Sequence, residues 1–204
     1  MKTWEGLLLF IMLALLTGCG SFSVLQQADI DVEIQPTQIN YTVTVTEEED
    51  DDGNVTVRYN LQVESAILRA NARPGSIGAA LTGYTVDYYY GDGTPVPFPL
   101  NARFAGSLNM RVPPGLICDD LFTGEEVFRD CSVNSPGASF QTGPIALSSS
   151  FVPLDPDTGY TMFFAQRSIE GSYAIITLTG VDALNRPFSK VLSPITIIQS
   201  VVAG

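Results

Sequence analysis

Twenty-two acidic side chains, three cysteines and no histidine limit the chemistry open to this 204-residue chain. Without histidine the commonest general base and the commonest metal ligand are missing. Ser-His-Asp and Cys-His catalysis and His-based zinc sites are therefore excluded. Carboxylate chemistry remains. Asp119, Asp120, Glu125, Glu126 and Asp130 lie between Cys118 and Cys131, and two carboxyl groups at a working separation could act as general acid and base on a glycan. Nothing in their spacing singles out such a pair, and charges that solvate an exposed loop are the simpler reading. Asp155 and Asp157, in Asp155-Pro156-Asp157-Thr158-Gly159, are weak candidates for calcium ligands, since hard cations take carboxylate oxygens. The same Asp, Pro and Gly residues also make turns for backbone reasons alone.

The densest acid run is Glu47-Glu48-Glu49-Asp50-Asp51-Asp52, which supplies half of the formal net charge of −12. Glu48-x-Asp50-x-Asp52-Gly53 mimics the start of an EF-hand loop, but Tyr59 stands where the closing Glu belongs and the flanks alternate like strands. A solvated hairpin tip is the expectation. The net charge argues against nucleic-acid binding, which needs a basic footprint, and against docking on anionic lipid through basic residues. With no recognisable catalytic motif, the expectation is a non-enzymatic protein with no cofactor. A carboxylate-dependent hydrolase or glycan-active enzyme and a calcium-stabilised adhesin-like module are the alternatives.

The cysteines carry the most specific signal. An odd count in an exported protein leaves one thiol over. Leu7 to Leu16 is a ten-residue apolar run that follows a short segment containing Lys2. A membrane-spanning helix needs about 20 such residues, so the run is the core of a signal peptide. It ends in Leu16-Thr17-Gly18-Cys19, an aliphatic residue, two small residues and a cysteine. This stretch resembles the lipobox of bacterial lipoproteins. The resemblance implies a signal peptide over 1–18, a diacylglycerol thioether on Cys19 and commonly a further acyl chain, such as palmitate, on its amine. Two or more chains anchor stably where one binds marginally. With Cys19 lipidated, Cys118 and Cys131 form an even pair and are expected to be disulfide-bonded, which suits a non-cytosolic compartment. Gly20, where an Asp would favour inner-membrane retention, resembles an outer-membrane lipoprotein if the host has an outer membrane. The expected location is the bacterial cell envelope, lipid-anchored and extracytoplasmic. The expected partners are the membrane, through the lipid, and an envelope protein or glycan.

The elements that carry these residues alternate with period two. Residues 19–28 form a short tether. From Asp29 onward, Asp29–Ile34, Ile39–Thr46, Val55–Val63, Tyr84–Tyr90, Ser107–Val112 and Tyr173–Asp182 read as half-buried strands rich in β-branched residues. Asp52-Gly53-Asn54 supplies the turn of a hairpin. Residues 113–138 are the least regular part and read as a long loop closed by Cys118–Cys131. A further strand is expected in Ser139–Val152, a turn at Pro153–Gly159, and a strand or short helix over Tyr160–Gln166. On the strand Tyr84–Tyr90, one face carries Tyr84, Val86, Tyr88 and Tyr90. Core is the expected role of that face, an aromatic binding patch the alternative.

Tyr173, Ile175, Thr177, Thr179, Asp182, Ala183 and Asn185, followed by a final strand, resemble the end of bacterial Ig-like or fibronectin III-like domains. The expected fold is all-β: an antiparallel Ig-like β-sandwich of about seven to nine strands over 29–204, preceded by a cleaved signal helix. The two cysteines depart from antibody domains because they sit in one loop instead of joining the sheets. Such folds host many functions, so the resemblance does not specify an activity.

Overall fold

A computed structural model describes residues 27–97, 104–119, 123, 125–131, 135, 137–165 and 167–204. Cys19, the lipobox, Asp120 and the signal segment lie outside these residues. The protein is an all-β sandwich. Thirteen strands are described: β1 (Ile30–Gln35), β2 (Gln38–Glu49), β3 (Val55–Val63), β4 (Ile67–Ala72), β5 (Ala79–Tyr89), β6 (Phe104–Val112), β7 (Leu116–Asp119), β8 (Glu126–Phe128), β9 (Ser139–Phe140), β10 (Ala146–Leu147), β11 (Tyr173–Asp182), β12 (Pro187–Val191) and β13 (Ile195–Ala203), with one helix, α1 (Pro156–Phe164). A three-stranded sheet, β1-β4-β10, faces a seven-stranded one ordered β3-β2-β13-β11-β5-β6, in which β12 also pairs with β11.

Period-two patterning produces this architecture directly. Ala174, Ile176 and Leu178 of β11 are fully buried, as are Ile30 of β1 and Leu68 of β4. Each of the fully buried Ile and Leu side chains stabilises by roughly 1.5–3 kcal/mol relative to exposure. Tyr84, Val86, Tyr88 and Tyr90 all face the core. Burial is affordable for Tyr88 because its hydroxyl donates to the Pro153 carbonyl (3.0 Å) and accepts from the Asp155 N–H (3.2 Å). Burial pushes this phenol well above its usual range.

The chain passes from one sheet to the other at Pro36, whose bond with Gln35 is cis. β1 pairs antiparallel with β4, whereas β2 runs parallel to β13 from Thr196↔Gln38 to Ala203↔Val45. Among the described strands there is therefore one parallel pair, the other pairings being antiparallel. β12 and β13 together follow β11, but β13 touches only its first two residues, Tyr173 and Ala174. β2, β3 and the rest of β13 run on past the beginning of β11 as a three-stranded arm tipped by the β2–β3 hairpin.

The described residues of 113–138 include two strands, β7 and β8, in place of the expected loop. β7 pairs with β8 and β9 in a small satellite sheet. Ser139–Val152 holds only the two-residue strands β9 and β10 and a bridge at Phe151. The expected turn at 153–159 instead runs into α1. Asp155 caps that helix and Pro156 starts it, a pairing that suits a helix N-terminus as well as it suits a turn. No helix among the described residues is long and apolar enough to cross a membrane.

Candidate functional site

The sequence-selected residues fall at two opposite ends of the sandwich. At the end where β5 and β12 begin, the described chain starts at Gln27. The Ser76 hydroxyl donates to the Ile77 carbonyl (2.9 Å), accepts from the Asp29 N–H (2.8 Å) and lies 3.5 Å from the Gln27 carbonyl. Arg73 forms ion pairs with Asp31 (2.7 Å) and Asp29 (3.4 Å), fixing the start of β1 against the loop after β4. At the other end lie the arm and its acidic tip.

Cys118 and Cys131 form a disulfide. Cys118 is fully buried on β7, so the bond ties the satellite sheet to the segment that carries Arg129 and Asp130. A bridge closing a loop of this size contributes about 3 kcal/mol on the chain-entropy model. Replacing both cysteines with alanine is expected to lower the unfolding free energy by about that amount, read by chemical denaturation. An unchanged midpoint would show that the bridge constrains nothing the fold needs.

Of the loop acids, Asp119 and Glu126 stand opposite each other as register partners on β7 and β8. The Asp130 carboxylate accepts from the Gly78 N–H (2.8 Å), the Asp119 carbonyl accepts from Arg129 Nη2 (2.5 Å), and Glu125 and Glu126 are exposed. Asp155 accepts from the N–H and hydroxyl of Thr158, both at 3.1 Å, as the cap of α1. Asp157 is exposed in the first turn, where a negative charge favours the helix dipole. In the acidic run, Asp50 Oδ1 accepts from the N–H groups of Asp52 (3.0 Å) and Asn54 (2.8 Å). The Asn54 side-chain amide, assisted by these backbone donors, holds the Asp50 carboxyl below its ordinary value. Glu48 pairs with Arg58 across the hairpin at 3.1 Å. Among the described residues no three Cys, Asp or Glu side chains converge as a metal-ligand set.

The structure also builds a concavity that no single stretch of sequence reveals. A cleft of about 510 Å³ opens at the Gln27 end, between the satellite sheet and the ends of β5, β6 and β11. Arg111, Arg129, Asp130 and Asn185 line it with Phe128. Gly78 lets the backbones close at its floor, since a Cβ there would lie 2.9 Å from the Val112 carbonyl oxygen. Beside the cleft, the buried carboxylate of Asp182 accepts from Leu184 N–H, Arg186 N–H (both 2.9 Å) and Arg186 Nε (2.6 Å), shaping the turn that places Asn185. Sequence reading picked out Asp182 and Asn185 only as part of a strand-end pattern. Arg111 and Arg129 carry no local signal, because the cleft joins them only through tertiary contacts.

No family model matches this chain, and no curated protein matches it in sequence. Among solved structures the chain is similar to "X-ray structure of Northeast Structural Genomics Consortium target SoR45", at 13% identity and a TM-score of 0.28, over 82% of this chain and 84% of that one.

Proposed function

We propose that this chain is a lipid-anchored envelope protein whose β-sandwich serves a structural or binding role at the membrane surface. The observation that carries the reading is the cysteine pairing. Cys118 and Cys131 are bonded to each other, so the third cysteine, Cys19, is left for the lipobox-like Leu16-Thr17-Gly18-Cys19. On this reading the mature protein begins at Cys19 with covalent acyl chains, lies outside the cytoplasm, and is held at the outer membrane where the host has one. The residues from Cys19 to Gln27 reach at most about 30 Å when extended. Gln27 enters at the cleft end, so on this reading the tether joins the sandwich beside the cleft and opposite the acidic arm.

Cys19→Ala tests the anchor. The variant is expected to move from the membrane pellet to the soluble fraction after cell fractionation and to lose incorporation of radiolabelled palmitate. Equal membrane retention and equal labelling of the variant would end the proposal.

A further inference from the structure

The two edges of the arm are treated differently by the fold. On β3, the Tyr160 hydroxyl accepts from the Leu61 N–H (3.1 Å) and donates to the Tyr59 carbonyl (3.2 Å). One side chain thus occupies ladder positions that a neighbouring strand would use. Tyr59 also packs edge-on against Phe164 of α1, with ring centroids 5.0 Å apart. Covering an edge in this way blocks unwanted strand pairing.

Among the described residues β13 has no such cover. After Thr196↔Tyr173 and the bond from Ile197 N–H to the Ser172 carbonyl (2.9 Å), β13 has passed the beginning of β11 and continues to Ala203 paired on its β2 side. The Ile197 N–H points away from β2, so the alternating backbone groups of Gln199, Val201 and Ala203 point the same way. Among the described residues nothing pairs with them. From Ile195 to Ala203 the strand contains no charge, proline or glycine, the features that commonly protect an edge. Ile198, Val201 and Val202 are exposed on it.

We propose that this edge is where a second copy of the chain docks, β13 pairing antiparallel with β13 about a twofold axis at Val201. The strand is self-complementary in this arrangement. Val201 meets its counterpart, Gln199 meets Ala203, Ser200 meets Val202, and about six ladder hydrogen bonds form. Val201 shares a sheet face with Val43, its fully buried partner on β2, so the apolar layer continues across the axis.

Charge selects both the occupant and its direction. The uncharged edge offers nothing to a charged peptide: a basic one would be drawn instead to the acidic tip and an acidic one repelled by it. In the β2 register Val201 lies level with Val43, and the acidic run starts four residues further on at Glu47. The antiparallel twofold sends the two runs in opposite directions, so they start about 26 Å apart at 3.3 Å per residue. That is some three Debye lengths at physiological salt, each about 8 Å. Parallel pairing would set the runs side by side within about 15 Å, three strand spacings, where they repel.

The proposal stands independently of the lipid anchor. Sedimentation equilibrium of the full chain in density-matched detergent tests it. The expected species at micromolar concentration has twice the 22.0 kDa chain mass. Val201→Lys places two like charges at the axis while leaving the β2 ladder intact, and is expected to sediment as a monomer whose melting temperature matches that of wild type diluted until it too is monomeric. Val201→Cys is expected to give a covalent dimer on non-reducing gels, confirming the twofold register. A wild-type monomer throughout the concentration range, or a dimer that Val201→Lys leaves equally strong, overturns the proposal.

Discussion

Gly180→Ala is expected to destabilise the sandwich by at least about 3 kcal/mol, the upper part of the range for overpacked cores. Gly180 sits in β11 opposite β5, where the register shifts between Thr179 and Gly180. A Cβ there would come within 2.0 Å of the Ala80 carbonyl oxygen and 2.9 Å of Leu81 Cα. Both are backbone atoms of the neighbouring central strand, so no side-chain rotation can relieve the overlap. Relief requires β11 and β5 to separate, and Leu178 and Leu81, both almost fully buried, would lose their packing. In a domain of this size 3 kcal/mol lowers the melting temperature by about 6–12 °C. A thermal midpoint within about 2 °C of wild type would show that the close approach of these strands is not required.

Asp182→Ala is the second large effect. The carboxylate is buried yet accepts three hydrogen bonds, two of them from backbone N–H groups that close the β11–β12 turn. Removing it strands those donors and leaves Arg186 without its 2.6 Å partner. The expected cost is about 2–3 kcal/mol, less than for a wholly buried ion pair because Arg186 is one-third exposed. Burial pulls the Asp182 carboxyl up, but the Arg186 N–H and guanidinium, with the Leu184 N–H, outweigh it and hold the group below its ordinary value of 3.8. A carboxyl whose folded value is lowered stabilises the fold above the unfolded value and loses that contribution as pH falls through the folded one. The stability difference between wild type and Asp182→Asn is therefore expected to be constant near neutrality and to shrink below pH 3.8. Denaturation midpoints measured across the acid range would reveal this, and a gap independent of pH would contradict it.

Both effects lie at the end of β11, where the sequence was most readable. The alternation Ala174, Ile176, Leu178 identifies the strand and its buried face without reference to any other part of the chain. The aromatic row on β5 was legible for the same reason, as were the hairpin over residues 47–54 and the pairing of the two later cysteines. The parallel pairing of β2 with β13 was not. Period two reports which face of a strand is buried but not which strand lies beside it, and Tyr41 and Gln199, which hydrogen-bond across this pair, are 158 residues apart. β8, β9 and β10 have three residues or fewer, too short to show a period. α1 was hidden by shared chemistry, since Asp155-Pro156 suits both a turn and a helix cap. The cleft was hidden by assembly: Gly78, Arg111, Arg129 and Asn185 come from four separate segments.

The parallel ladder between β2 and β13 also decides how the domain bears load. A pull transmitted from the N-terminal side enters β2 at its beginning, through β1 and Pro36, whereas one applied by a partner on β13 acts toward that strand's end. Because the strands run in the same direction, these forces slide one strand along the other. The eight registered positions from Gln38↔Thr196 to Val45↔Ala203 then resist together, whereas an antiparallel hairpin pulled from its two ends opens one hydrogen-bonded pair at a time. Under such opposed pulls on β2 and β13 the first mechanical failure should be the cooperative shearing of this pair of strands.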